Sequence, residues 1–133
     1  MADAVTSQII FDGTKTAVMK FTNISDSTGE TGVIKVDVSA LSGFQGQPCT
    51  SVNITKLDAM TVGMGVDILW DATTDVICYT IGADQFVTFD FRHFGGLTNN
   101  AGTGKTGDVL FTTIGAASGD RYTVVLELAK NFG

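Results

Sequence analysis

One proline, one histidine and one tryptophan (Pro48, His93 and Trp70) are all that this chain has of those residues, and each shortage excludes something. A lone histidine leaves no second imidazole for a histidine-based metal site. No Ser-His-Asp spacing surrounds it either, so general-base catalysis has little support. Two cysteines, Cys49 and Cys78, are too few for a disulfide framework or a four-ligand zinc site and read as free thiols. No run approaches the ~18–20 apolar residues of a membrane span. The opening Met1-Ala2-Asp3-Ala4-Val5 has neither the basic start nor the apolar centre of a signal peptide, so the expectation is a soluble protein made in the cytoplasm. Cations are scarce: eight Lys plus Arg face 14 Asp plus Glu, for a net charge of −6. They are scattered, with aspartates between them. The clustered basic surface that displaces counterions from nucleic-acid phosphates, or meets an anionic membrane, is therefore missing.

What the chain does have is sheet chemistry. Thr, Val and Ile supply 41 of its 133 residues, and 16 glycines are spread between the β-prone runs as turn residues. Strands are predicted over 5–12, 15–24, 33–38, 52–64, 66–70, 76–81, 87–91, 109–114 and 122–130. Alternation points Ala17, Met19 and Phe21 inward on the second strand, and Ile34, Val36 and Val38 inward on the third, with Lys35 and Asp37 outward. The phase slips at Lys56-Leu57, which calls for a bulge. Val66, Ile68 and Trp70 share one face, as do Val87, Phe89 and Phe91, and Tyr122, Val124, Leu126 and Leu128. Residues 39–48 form a loop with one helical turn near Ala40-Leu41. Eight or nine short strands with turns every 8–12 residues predict a single all-β domain over 1–133, a jelly-roll-like β-sandwich of antiparallel strands.

The run Phe94–Asp108, FGGLTNNAGTGKTGD, imitates a phosphate-binding loop without being one. Gly104-Lys105-Thr106 matches the end of G-x-x-x-x-G-K-[ST], but Asn99 stands where the first glycine belongs. The residues that follow, Val109–Ile114, read as a strand, so no helix dipole would face a phosphate. A loop of this length inside a compact domain is functional or disordered more often than not. It reads as a mobile arm that orders against a partner, with Arg92, His93, Asn99, Asn100 and Lys105 as the candidate contacts. On this reading, removal of Asn99 to Gly104 leaves folding intact.

Other candidate sites dissolve into structural roles. Asp71 and Asp75 flank one turn and fall short of the alternating acidic pattern of a calcium loop. Asn23-Ile24-Ser25 and Asn53-Ile54-Thr55 match the glycosylation acceptor pattern, yet both lie in predicted strands. Trp70, with Tyr79 and Tyr122, is the aromatic set available for sugar stacking, although Trp70 falls on a core-facing phase. No paired carboxylates, nucleophile elbow or cofactor fingerprint is present. The expectation is a non-enzymatic structural or binding protein with no catalytic residue, cofactor or metal.

Four strings carry a resemblance. The opening 2–8, the segment 18–26 (VMKFTNISD), the run 63–75 (GMGVDILWDATTD) and the loop 94–108 resemble small virion structural proteins of tailed bacteriophages. That resemblance implies a capsid decoration (cement) protein on the outside of the virion, bridging subunits of the major capsid protein. It further implies a homo-oligomer, a trimer ahead of a dimer, because such a protein meets a symmetric lattice. The alternative is a tail-associated or carbohydrate-binding β-sandwich module for host attachment.

Overall fold

A computed structural model describes residues 3–132. Nine strands form in chain order: β1 (Ala4–Asp12), β2 (Thr16–Ile24), β3 (Val33–Val36), β4 (Cys49–Val62), β5 (Gly65–Trp70), β6 (Val76–Ile81), β7 (Phe86–Asp90), β8 (Val109–Ile114) and β9 (Arg121–Phe132). Two short 3-10 turns, Val38–Ala40 and Arg92–Phe94, are the helical elements among the described residues. The strands make two antiparallel sheets, ordered β1-β2-β9-β4-β7 and β3-β8-β5-β6. Without β1, the orders 2-9-4-7 and 3-8-5-6 are those of an eight-stranded jelly roll, two Greek keys wound together. β1 is an extra edge strand, exposed along nearly its whole length.

The core lies between the sheets and follows the two-residue period. Ala17, Met19 and Phe21 from β2, Leu57 and Ala59 from β4, and Tyr122, Val124, Leu126 and Leu128 from β9 meet Val66, Ile68 and Trp70 from β5. Phe111 of β8 takes Phe21 edge-on at 5.2 Å and Tyr122 edge-on at 5.8 Å. Such pairs each add about 0.5–1.5 kcal/mol beyond the area that they bury. β4 absorbs the expected phase slip as a bulge between Ile54 and Lys56.

The third strand departs from simple alternation. A register shift between Ile34 and Val36 leaves Ile34 52% exposed and turns Lys35 inward, where it is 7% exposed. The cause is Glu30. Its Oε2 lies 2.5 Å from Lys35 Nζ, while its Oε1 accepts hydrogen bonds from Tyr122 OH at 2.6 Å and Asn23 Nδ2 at 2.8 Å. A bulge that buries this pair outweighs the burial of one isoleucine. Lys130 is buried in the same manner at the far end of β9, where its ammonium contacts Asp12 Oδ1 and donates to Gly13 O and Ser42 O.

The 14 residues after the second 3-10 turn, 95–108, correct the expectation of a free arm. β7 pairs with β4 only from Lys56 to Met60, which leaves the preceding half of β4 with one open edge. The loop takes that place. Leu97 and Ile54 exchange backbone hydrogen bonds at 2.8 and 3.1 Å. Further on, Thr73 N donates to Thr103 O, Thr106 N to Asp71 O and Asp71 N to Asp108 O, which ties the loop to the β5–β6 turn. Two glycines permit this seat. Gly96 (φ 96°) would carry a Cβ 2.8 Å from Ile54 O, and Gly107 (φ 88°) one only 1.9 Å from Thr50 O. A loop so closely applied is part of the fold.

Candidate functional site

Two adjoining clefts flank the ridge formed by residues 97–99. The larger, of about 540 Å³, lies over the outer face of the five-stranded sheet, between β4, β9 and the loop. Thr50, Ser51 and Asn53 reach it from β4, Asn131 from β9, and Thr98, Asn99, Lys105, Thr106 and Gly107 from the loop. The β-period explains the strand contribution: Val52 and Ile54 point to the core, so Ser51 and Asn53 must point out. The smaller cleft, of about 430 Å³, is apolar on its strand side. Trp70, Ile77, Cys78, Phe94 and Leu97 line it, and it shares Thr98 with the first.

The polar cleft is organised by its own hydrogen bonds. Asn131 Nδ2 donates to Ser51 Oγ at 3.1 Å and to Asn53 Oδ1 at 3.2 Å, and Asn53 Nδ2 donates to Gly95 O at 3.4 Å. Asn99 Oδ1 accepts from Ala101 N at 2.9 Å, which fixes the amide and leaves its Nδ2 with no partner among the described residues. Thr106 Oγ1 is committed to Asp71 Oδ2 at 2.7 Å. Lys105 makes no ion pair with a described residue, although its backbone is held by Lys105 N to Gly102 O and by the neighbouring Thr106 N. Among the described residues no carboxylate, imidazole or thiol lines this cleft.

Aromatic rings crowd the sandwich mouth beside it, where the edge strands β6 and β7 face each other. Phe89 and Phe91 stack at 6.0 Å, Tyr79 leans on both, and Phe94 lies 6.1 Å from Phe91 while remaining 67% exposed. Cys78 is nearby but inert, since burial pushes its thiol up to about 12 and keeps it protonated at neutral pH.

Of the five residues expected to make contacts, Asn99 and Lys105 line the polar cleft and Asn100 the apolar one. Arg92 does not join them. It forms a fork with Asp90 (Nε–Oδ1 2.9 Å, Nη2–Oδ2 2.7 Å) that holds the Asp90 carboxylate well below its usual range. His93 is exposed in the 3-10 turn and lines neither cleft. Trp70 and Tyr122 are core residues as their strand phases predict, each 1% exposed, and Tyr79 is half-buried; the exposed ring that lines a cleft is that of Phe94. Sequence reasoning missed Thr50, Ser51, Asn53 and Asn131. The outward phase of Asn53 was legible, but what would stand opposite it was not.

No family model and no curated protein matches this chain. Two solved structures are similar to it in fold. One is a tyrosine-to-alanine variant of a family 29 carbohydrate-binding module, at a TM-score of 0.41 and 11% identity, over 96% of this chain and 93% of that one. The other is a lysine-to-alanine variant of the same module complexed with cellulohexaose, at a TM-score of 0.41 and 11% identity, over 95% and 91% of the two chains. The expectation of a capsid decoration protein is withdrawn: no family model or curated protein matches, and these two solved structures are carbohydrate-binding modules. Likeness at this depth speaks for the fold alone, so a ligand has to be argued from the clefts.

Proposed function

We propose that this chain is a non-catalytic carbohydrate-binding module whose ligand lies in the polar cleft and extends past Thr98 to Phe94 in the adjoining apolar cleft. The observation that carries this reading is the lining of the cleft: three asparagine amides and four hydroxyls, held largely by strands and a pinned loop. A sugar hydroxyl both donates and accepts, and so do these side chains. The Asn131–Ser51–Asn53 chain leaves the Ser51 hydroxyl hydrogen and Asn131 Oδ1 available to a ligand. The exposed Phe94 ring offers an apolar face to the C–H side of a sugar ring. Groups fixed before binding lose little entropy when the ligand arrives, so less of the contact energy is offset. Among the described residues no carboxylate or imidazole lines the cleft to serve Ser51 or a threonine as general base.

The test is affinity electrophoresis and calorimetry against a panel of neutral and acidic polysaccharides. Binding is expected to at least one of them. Asn53→Ala and Phe94→Ala should each weaken it about tenfold, or about 1.4 kcal/mol, with an unchanged β spectrum. Failure to bind any glycan in the panel overturns this reading.

A further inference from the structure

The polar cleft holds a specific imbalance. Among the described residues its one charged lining residue is Lys105, and none of them adds a carboxylate to the lining. The nearest carboxylates along the loop's contacts are engaged: Asp71 Oδ2 accepts from Thr106 Oγ1, and Asp108 Oδ1 accepts from Val38 N at 3.0 Å. On the same loop, Asn99 Nδ2 is shielded from solvent and without a hydrogen-bond partner among the described residues. An amide hydrogen left unpaired and desolvated is unfavourable, and a ligand acceptor relieves it. A cation and an orphaned donor in one cleft form a place for a negatively charged acceptor. A neutral sugar hydroxyl would satisfy the amide but leave the ammonium to water.

We propose that the cleft selects acidic sugars, with the anionic group of the sugar, a uronate carboxylate or a sulfate ester, taken by Lys105 Nζ and Asn99 Nδ2. This deepens the carbohydrate reading and rests on it. The net charge of −6 does not oppose it. At physiological salt the screening length is about 8 Å, so an anion seated in the cleft responds to Lys105 rather than to the sum of distant aspartates. The backbone hydrogen bonds on either side of Lys105 keep its Cα at the rim while the ammonium remains free to follow the ligand. Asn99 is better fixed, because Ala101 N holds its carbonyl oxygen and thereby aims the amide nitrogen.

Calorimetric titration distinguishes the cases, with oligogalacturonate, its neutral methyl ester, a sulfated oligosaccharide and neutral cello-oligosaccharide at 50 and 300 mM salt. The expected result is at least tenfold tighter binding of an acidic oligosaccharide than of its neutral counterpart, weakened by salt. Lys105→Met should erase that preference, and Lys105→Arg should keep it within about threefold. Asn99→Asp preserves the oxygen that Ala101 uses and replaces the donor by an acceptor, so it should abolish acidic binding first. Uronate against sulfate identifies which anion the cleft prefers. Neutral sugars bound as tightly as acidic ones, or a preference untouched by Lys105→Met, overturns the acidic-sugar inference and leaves the carbohydrate reading standing. No binding to any of the four sugars overturns both.

Discussion

One polar cluster of this molecule is enclosed and another is open, and they carry opposite surpluses. Around Glu30, the side chains of Asp3, Asn23, Ser25, Lys35 and Tyr122 share hydrogen bonds beside the core, and the leftover groups there, Asn23 Oδ1 and Asp26 Oδ2, are acceptors. In the cleft the leftover group is a donor, Asn99 Nδ2, beside an unpaired lysine. The same residue types do different work in the two places. Enclosure makes each bond a matter of folding, because a partner removed there leaves a group that water cannot reach. Asn99 Nδ2 is shielded as well, but its side chain lines a cleft, where a ligand can supply the partner that it lacks.

The largest effect that would test this contrast is on the enclosed pair. Glu30→Gln keeps an acceptor for Tyr122 but leaves Lys35 charged and buried, and should cost about 3–5 kcal/mol in urea unfolding. A loss under about 1 kcal/mol would show that Lys35 escapes to solvent and that the two clusters are alike.

Next comes the loop that separates cleft from core. Gly107→Ala places a methyl group against Thr50 O at a positive φ, and should destabilise by about 2–3 kcal/mol while freeing the Leu97 amide to hydrogen exchange. Slow exchange at Leu97 in that variant would mean that the loop is held elsewhere.

Acid should separate the clusters as well. Burial alone would raise Asp3, but hydrogen bonds from Asn23, Asp26 N and Gly29 N outweigh it and hold its pKa below 3.8. At Asp12 burial is likewise outweighed, by Lys130 and Ser42. The folded chain therefore binds fewer protons than the unfolded one in that range. The stability these two supply is complete above the unfolded value of 3.8 and lost as pH falls through their folded values. Asp108, at the loop's end, runs the other way, since burial raises its pKa and its ionisation erodes stability as pH rises. Unfolding midpoints between pH 3 and 7 should fall on acidification. Asp108→Asn, which keeps an oxygen for Val38 N, should steepen that fall, and a flatter profile would refute the assignment.

The smallest effect belongs to the open cleft itself. Lys105→Met and Asn53→Ala should shift stability by no more than about 0.5 kcal/mol, because neither fills the core. A shift above 1.5 kcal/mol in thermal or urea unfolding would make the cleft a structural device rather than a receptive one.

Much of the sandwich could be read from local pattern. The inward sets on β2, β5 and β9 follow from alternation, and the bulge at Ile54–Lys56 from one broken phase. Ile34 and Lys35 were misplaced because a buried ion pair with Glu30 outranked alternation, and nothing within four residues of β3 announces that Glu30 faces inward. The cleft was half legible. Asn99 and Lys105 stood out in an unusual loop, whereas Ser51 and Asn131, which touch at 3.1 Å, lie 80 positions apart.

The class of fold and most of the core follow from the order of the residues alone, because a two-residue period is written in neighbouring side chains and burial enforces it along each strand. The cleft is a product of the winding of the chain. The jelly-roll winding sets β4 between β9 and β7, the shortness of β7 leaves half of β4 open, and the loop fills that edge through Leu97. Which side chains then face one another is set by the abutment of segments distant in the chain, and no local pattern encodes it.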